Sequence, residues 1–214
     1  MERIGEITRA TKETEIRIRL NVDGRGEGRL DCPIGFLTHM LTTFARHGLF
    51  DLELRAAGDL EVDQHHLVED TGIVLGQCFS RALGEKRGIR RVGSCLFPMD
   101  ETLARAAVDL SGRAFLVFEG ALSNIPLVSA PGGPGQGPAS FQTDTVEDFW
   151  QGFVQGAGAN LHLEILRGRS DHHKIEALFK AAARALREAC EIDPRAADLV
   201  PSAKGTLESP GVIV

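Results

Sequence analysis

No stretch of the 214-residue chain approaches the roughly 18 consecutive apolar residues that a membrane-spanning helix needs. A basic stripe is missing too: 24 Lys and Arg against 30 Asp and Glu leave a formal net charge of −6. That balance argues against nucleic acid as a partner, because phosphates need a concentrated positive face. Small groups such as Arg87/Arg90/Arg91 and Arg167/Arg169 read as solvated surface. Cys32, Cys78, Cys95 and Cys190 include no Cys-x-x-Cys pair, so neither a zinc knuckle nor a disulfide framework is indicated. No secretory signal is recognisable, and we expect reduced thiols in a soluble cytoplasmic protein. Two common metal patterns are also lacking: the metalloprotease His-Glu-x-x-His, and the Glu-x-x-His of di-iron bundles.

What the chain does contain is one tetrad written twice, His65-His66-x-x-Glu69 and His172-His173-x-x-Glu176. These hold four of the seven histidines. Imidazole and carboxylate are the usual ligands of divalent transition metals. A single His-His pair is ordinarily surface decoration, but two with glutamate at the same spacing point to ligation.

The flanks repeat as well. Residues 13–25 line up with 101–113 at an offset of 88, and Leu52-Glu53-Leu54 resembles Leu163-Glu164-Ile165, while the tetrads lie 107 apart. The excess falls in the second copy, around the Gly/Pro-rich stretch 129–140, which reads as a surface loop. The chain therefore reads as a duplicated unit, with halves 1–89 and 90–214.

Each half reads strand, strand, helix, strand, helix. Ile16, Ile18, Leu20 and Val22 alternate as in a half-buried strand that stops at Asp23-Gly24, and Leu49 to Arg55 alternates likewise. Phe36 to His47, Val68 to Leu83 and Ile175 to Ala189 carry helical spacing. Two small antiparallel sheets, each covered by two helices, would make an α+β pseudo-dimer whose helices pack together.

On a helix, residues four apart share a face whereas neighbours diverge by about 100°. His65 with Glu69 can grip one ion, and His172 with Glu176 another. His66 and His173 then have to serve a second ion, and His39 and His162 can complete the sets. Nitrogen-rich sites of this kind, with one carboxylate and open positions, suit an octahedral metal such as Mn²⁺.

Eight blocks appear in order: Arg9-x-Thr11-x-Glu13-Thr14-Glu15-Ile16; Gly35-Phe36-Leu37-Thr38-His39-Met40-Leu41; Gly58-Asp59; His65-His66-x-x-Glu69-Asp70-x-Gly72-Ile73; Gly88-Ile89-x-Arg91; Asp109-Leu110-Ser111-Gly112-Arg113; His172-His173-x-Ile175-Glu176-Ala177-x-Phe179-Lys180; and Pro201-Ser202-x-Lys204-Gly205. Together they resemble the imidazoleglycerol-phosphate dehydratases of histidine biosynthesis, over nearly the whole chain. The resemblance implies a duplicated fold like the second domain of ribosomal protein S5. It also implies two manganese ions per site, shared between subunits of a 24-subunit octahedral shell. One ion would take His65, Glu69, His162 and His173, and the other His39, His66, His172 and Glu176.

The implied reaction removes water from imidazoleglycerol phosphate to give imidazole acetol phosphate. Ligation of both ring nitrogens would favour the imidazolate that expels the hydroxyl, and Glu13 would transfer the neighbouring C–H proton. Glu13, His47, Arg91, Arg113, Lys180, Ser202 and Lys204 match the family's substrate and phosphate contacts, with Pro201 to Gly205 as a loop closing over the ligand. Thr38, Thr42, Thr43, Gln64 and Ala203 depart from the family pattern. None is an implied ligand, so the resemblance leaves metal binding intact but alters what surrounds it.

Overall fold

The computed structural model describes residues 2–128 and 140–207, so the 129–139 part of the Gly/Pro-rich stretch lies outside the described residues. The first half runs β1 (Ile4–Ala10), β2 (Thr14–Asn21), β3 (Gly28–Asp31), α1 (Gly35–Gly48), β4 (Asp51–Gly58) and α2 (His65–Leu83). The second runs β5 (Val92–Met99), β6 (Thr102–Asp109), β7 (Phe115–Glu119), the short β8 (Leu127–Val128) and β9 (Ser140–Phe141), α3 (Thr145–Ala157), β10 (Asn160–Arg167) and α4 (Asp171–Cys190). The two main sheets have the same order, β1-β2-β4-β3 and β5-β6-β10-β7. The duplication read from the flanks is thus a duplication of topology.

One expectation is corrected. The sheets are mixed, because β3 pairs parallel to β4 and β7 parallel to β10. Each parallel pair brackets a helix, which is what a parallel connection requires. β3 has only four residues, too few for alternation to announce a strand. The long strands are antiparallel as expected, and their burial alternates.

Ile16, Ile18 and Leu20 of β2, with Leu52 and Leu54 of β4, turn inward against the helices; Ala104, Ala106, Leu161 and Leu163 do the same in the second sheet. The result is four layers, sheet, helices, helices, sheet, with helices of one half packed on those of the other. Phe44, Phe79, Trp150, Phe153 and Phe179 form an aromatic chain through all four helices, with ring centroids 4.8 to 6.3 Å apart. Edge-on and tilted pairs at such separations are favourable beyond their buried area.

The two helix–helix seams differ. Between α2 and α3 the backbones touch through Gly72, Gly76, Gly152 and Gly156. A Cβ on Gly72 would overlap the Phe149 carbonyl oxygen, one on Gly76 that of Phe153, and one on Gly156 that of Ile73. A Cβ on Gly152 would stand 2.6 Å from the Glu69 carbonyl. In the repeat, α1 corresponds to α3 and α4 to α2. The four glycines correspond there to Phe179, Ala183, Thr43 and His47. Side chains therefore hold α1 and α4 apart where glycines let α2 and α3 close.

Gly156→Ala should destabilise the fold by roughly 1–3 kcal/mol, since backbone rather than a flexible side chain must move. Gly35→Ala, where nothing stands within 4 Å of the new Cβ, should be neutral or stabilising. Urea midpoints of the two variants check this contrast.

Candidate metal and substrate site

Both tetrads occupy the first turns of their helices. Ser170 caps α4 by accepting from the His173 amide, and Asp63 accepts from the His65 amide at 2.7 Å at the start of α2. The helical spacing then acts as expected: His172 Nε2 lies 3.2 Å and His65 Nε2 3.8 Å from the glutamate four residues on. The neighbouring rings splay, with interplanar angles of 72° for His65/His66 and 90° for His172/His173.

The wider seam between α1 and α4 holds a cluster. His39 Nε2 is 3.5 Å from the buried Glu176 carboxylate, which also receives Lys180 Nζ at 2.8 Å. Ligand atoms of His39, His172 and Glu176 all lie within 4.8 Å of one another, so this donor set fits a divalent transition metal. Burial on its own would raise the Glu176 pKa. The Lys180 hydrogen bond and charge, with His39 and His172, outweigh it and hold the carboxyl below its ordinary value. Deeper in the seam, His47 packs edge-on to Phe97 at 5.3 Å, and Lys180 lies over the same ring. Burial, then Lys180 and Arg184, push the His47 pKa down.

Three other histidines each have Nδ1 against a carboxylate. His65 meets Asp148 at 3.1 Å, His66 meets Asp59 at 3.1 Å, and His173 meets Glu101 at 2.9 Å. Glu101 also accepts from the Ser170 and Arg169 amides. Those bonds, the Ser170 amide foremost and then His173, lower its pKa to about 2. Glu13 is the twin of Glu101 at the offset of 88, yet it behaves differently. Asp59 takes the histidine in the first half, and no hydrogen bond reaches the Glu13 carboxylate among the described residues. Glu13 still lies close enough to His66 to join Asp59, the larger influence, in raising that ring's pKa.

The other expected contacts gather elsewhere. Arg91 is held bidentately by Asp109, and its Nη1 donates to the Pro201 carbonyl at 2.8 Å. Ser202 and Lys204 follow on that loop, joined by a 3.2 Å bond from the Lys204 amide to Ser202 Oγ. Arg113 sits beside the start of β10, where Asn160 donates to its carbonyl. The Arg91 amide binds the Ala189 carbonyl in the last turn of α4. From there to His172 is about 25 Å at the helical rise. His162 is exposed on the outer face of its sheet, away from the helices.

One copy of the chain therefore unites His39, His172, Glu176 and Lys180, and separately His65 with Glu69. It leaves His66, His173 and His162 apart from the ligand sets implied for them. The residues that spacing missed are Asp59, Glu101 and Asp148. Glu101 carried a signal as the counterpart of Glu13, and Asp59 as part of the Gly58-Asp59 block, while Asp148 carried none.

A profile of the family described as imidazoleglycerol-phosphate dehydratase matches residues 32–186. The chain belongs to this family. It is 52% identical over 206 residues to the imidazoleglycerol-phosphate dehydratase of Acinetobacter baylyi, covering 96% of each chain. The Lacticaseibacillus casei enzyme is 52% identical over 205 residues, 96% of this chain and 100% of its own. A crystal structure of the Staphylococcus aureus dehydratase matches with a TM-score of 0.72 at 35% identity, covering 89% of this chain and 99% of that one. The Pyrococcus furiosus enzyme, solved with (S)-C348, gives 0.72 at 32% identity, covering 94% and 100%. The family is one of hydro-lyases.

Within that family the departures have local explanations. Thr38 and Thr42 return their hydroxyls to helix carbonyls, at 3.1 Å to Ile34 and 2.8 Å to Thr38. Gln64 and Gln142 exchange amide bonds, and Gln64 also donates to the Ser140 carbonyl. This ties the start of α2 to the segment that follows residue 139. Nothing in the structure explains Ala203.

Glu101→Ala should speed hydrogen exchange at the Arg169 and Ser170 amides while leaving α2 unaffected. The wild-type carboxyl ionises below its unfolded value, so its contribution is present above the ordinary carboxylate range. It should be lost only as pH falls through about 2, which exchange measured along an acid titration would read out.

Proposed function

We propose that the chain dehydrates imidazoleglycerol phosphate to imidazole acetol phosphate in histidine biosynthesis, using two manganese ions per site. The observation that carries this reading is the His39/His172/Glu176 cluster beside Lys180, in a seam kept open by side chains. A bound metal would supply positive charge that favours the anionic form of an imidazole ring ligated through nitrogen. The remaining ligands, His66 for this cluster and His162 and His173 for His65 and Glu69, would come from further copies of the chain. Self-association into a large homo-oligomer is therefore part of the proposal, consistent with the 24-subunit shell that the resemblance implies.

Loss of water breaks one C–O and one C–H bond, so a base must take the C–H proton. Glu13 suits that work because its carboxylate accepts no hydrogen bond among the described residues, whereas its twin Glu101 is bound to His173 and two amides. The substrate phosphate needs fixed donors, and Arg91, Arg113, Lys180, Ser202 and Lys204 offer them, with His47 lining the seam. The Asp109 carboxylate and the Pro201 carbonyl fix the Arg91 guanidinium, leaving its remaining donors aimed rather than wandering. With about 25 Å along α4 between them, His172 and the Arg91 group would share one site only when copies combine.

Purified protein with Mn²⁺ and imidazoleglycerol phosphate should produce ketone. Release of inorganic phosphate would instead mark a hydrolase, and no turnover would refute the enzyme reading. Glu13→Gln should lower kcat by about 10²–10⁴-fold with the oligomer intact. His39→Ala should reduce the Mn²⁺ bound per chain, and an unchanged stoichiometry by atomic absorption would sink its role as a ligand.

A further inference from the structure

We propose that Asp148 is a positioning residue for His65. It would hold the Nδ1–H and so keep the Nε2 lone pair turned toward Glu69. The inference rests on the reading of His65 as a metal ligand and goes beyond it.

Asp148 lies in the first turn of α3, in the half of the chain opposite to the one that carries His65. Its Oδ2 is 3.1 Å from His65 Nδ1, while Nε2 of the same ring faces Glu69. His66 with Asp59 and His173 with Glu101 repeat the arrangement, each with Nδ1 on a carboxylate. A carboxylate on one ring nitrogen fixes the tautomer and raises the basicity of the other nitrogen.

The duplication makes the placement specific. Helices α1 and α3 both end in a left-handed cap, Leu49 and Gly158, whose amides return to the carbonyls of Ala45 and Val154. Counted back from those caps, Asp148 stands where α1 has His39. His39 faces His172 and Glu176 across the α1–α4 seam, and Asp148 faces His65 across the α2–α3 seam, where Glu69 is the twin of Glu176. One inherited position thus offers a nitrogen toward the metal donors on the open side. On the closed side it offers an oxygen to the back of the ring. The glycine contact holds α3 close enough for a side chain as short as aspartate to reach.

The test uses full-length protein with ¹⁵N-labelled histidine, stripped of metal, studied by solid-state NMR at about pH 9, where imidazole is neutral. Wild type should show His65 protonated at Nδ1. Asp148→Ala should shift that ring toward the Nε2–H form, and its Kd for Mn²⁺ should rise by about 10–100-fold in calorimetry. Asp148→Asn keeps an acceptor and should recover much of both readouts. Glu147→Ala, which removes the other first-turn acid of α3, should change neither.

A wild-type His65 protonated at Nε2, or a ring whose tautomer ignores Asp148→Ala, overturns the proposal. So does a shifted tautomer with unchanged Mn²⁺ affinity. Loss of a whole Mn²⁺ equivalent with the tautomer unmoved would make Asp148 a ligand instead. If wild type takes up no Mn²⁺, the metal reading of His65 fails, and the tautomer alone then judges the Asp148 contact.

Discussion

The contact between α2 and α3 sets the rest of the molecule. Four glycines bring two helix backbones together there, and no other pair of helices in the described fold approaches in this way. Because the halves are duplicates, the same contact could have formed between α1 and α4. It is blocked by Thr43, His47, Phe179 and Ala183. One seam is closed and the other is propped open, and the polar cluster lies in the open one. The aromatic chain from Phe44 to Phe179 spans both seams, so the asymmetry is locked into a shared core.

Duplication followed by local divergence explains the chemistry better than either half alone. Glu101 is committed to the loop before α4, whereas Asp59 stands in for its twin and leaves the Glu13 carboxylate without a partner among the described residues. The loop between β4 and α2 is longer than that between β10 and α4, and the extra length supplies Asp59. His39 and Asp148 are a second such divergence. In each case one copy keeps a structural bond while the other releases or redirects a group.

Much of this was legible in the chain. Period-two alternation marks β2 and β4, and helical spacing marks α1, α2 and α4, because each buries one face against a single core. The tetrads also survive as drawn, since spacing of four is a local property of a helix. What the sequence hides is non-local or short. β3 is too brief to alternate, and the carboxylates on Nδ1 are unreadable by spacing. Asp148 reaches His65 from 83 positions away, through a seam that only the folded glycines create. His162, by contrast, alternates with the inward Leu161 and Leu163, so period-two spacing does put it on the outer face.

Helix α4 joins two kinds of group, with His172 and Glu176 at its start and the Arg91 backbone tied to its final turn. It is therefore a ruler. Inserting one residue between Glu176 and Ala189 would lengthen that separation by about 1.5 Å and rotate one end by about 100° against the other. Substitutions along the helix change what it presents, but an insertion or deletion would change the gauge itself. The distance between the His172–Glu176 pair and Arg91 is thus written in a residue count.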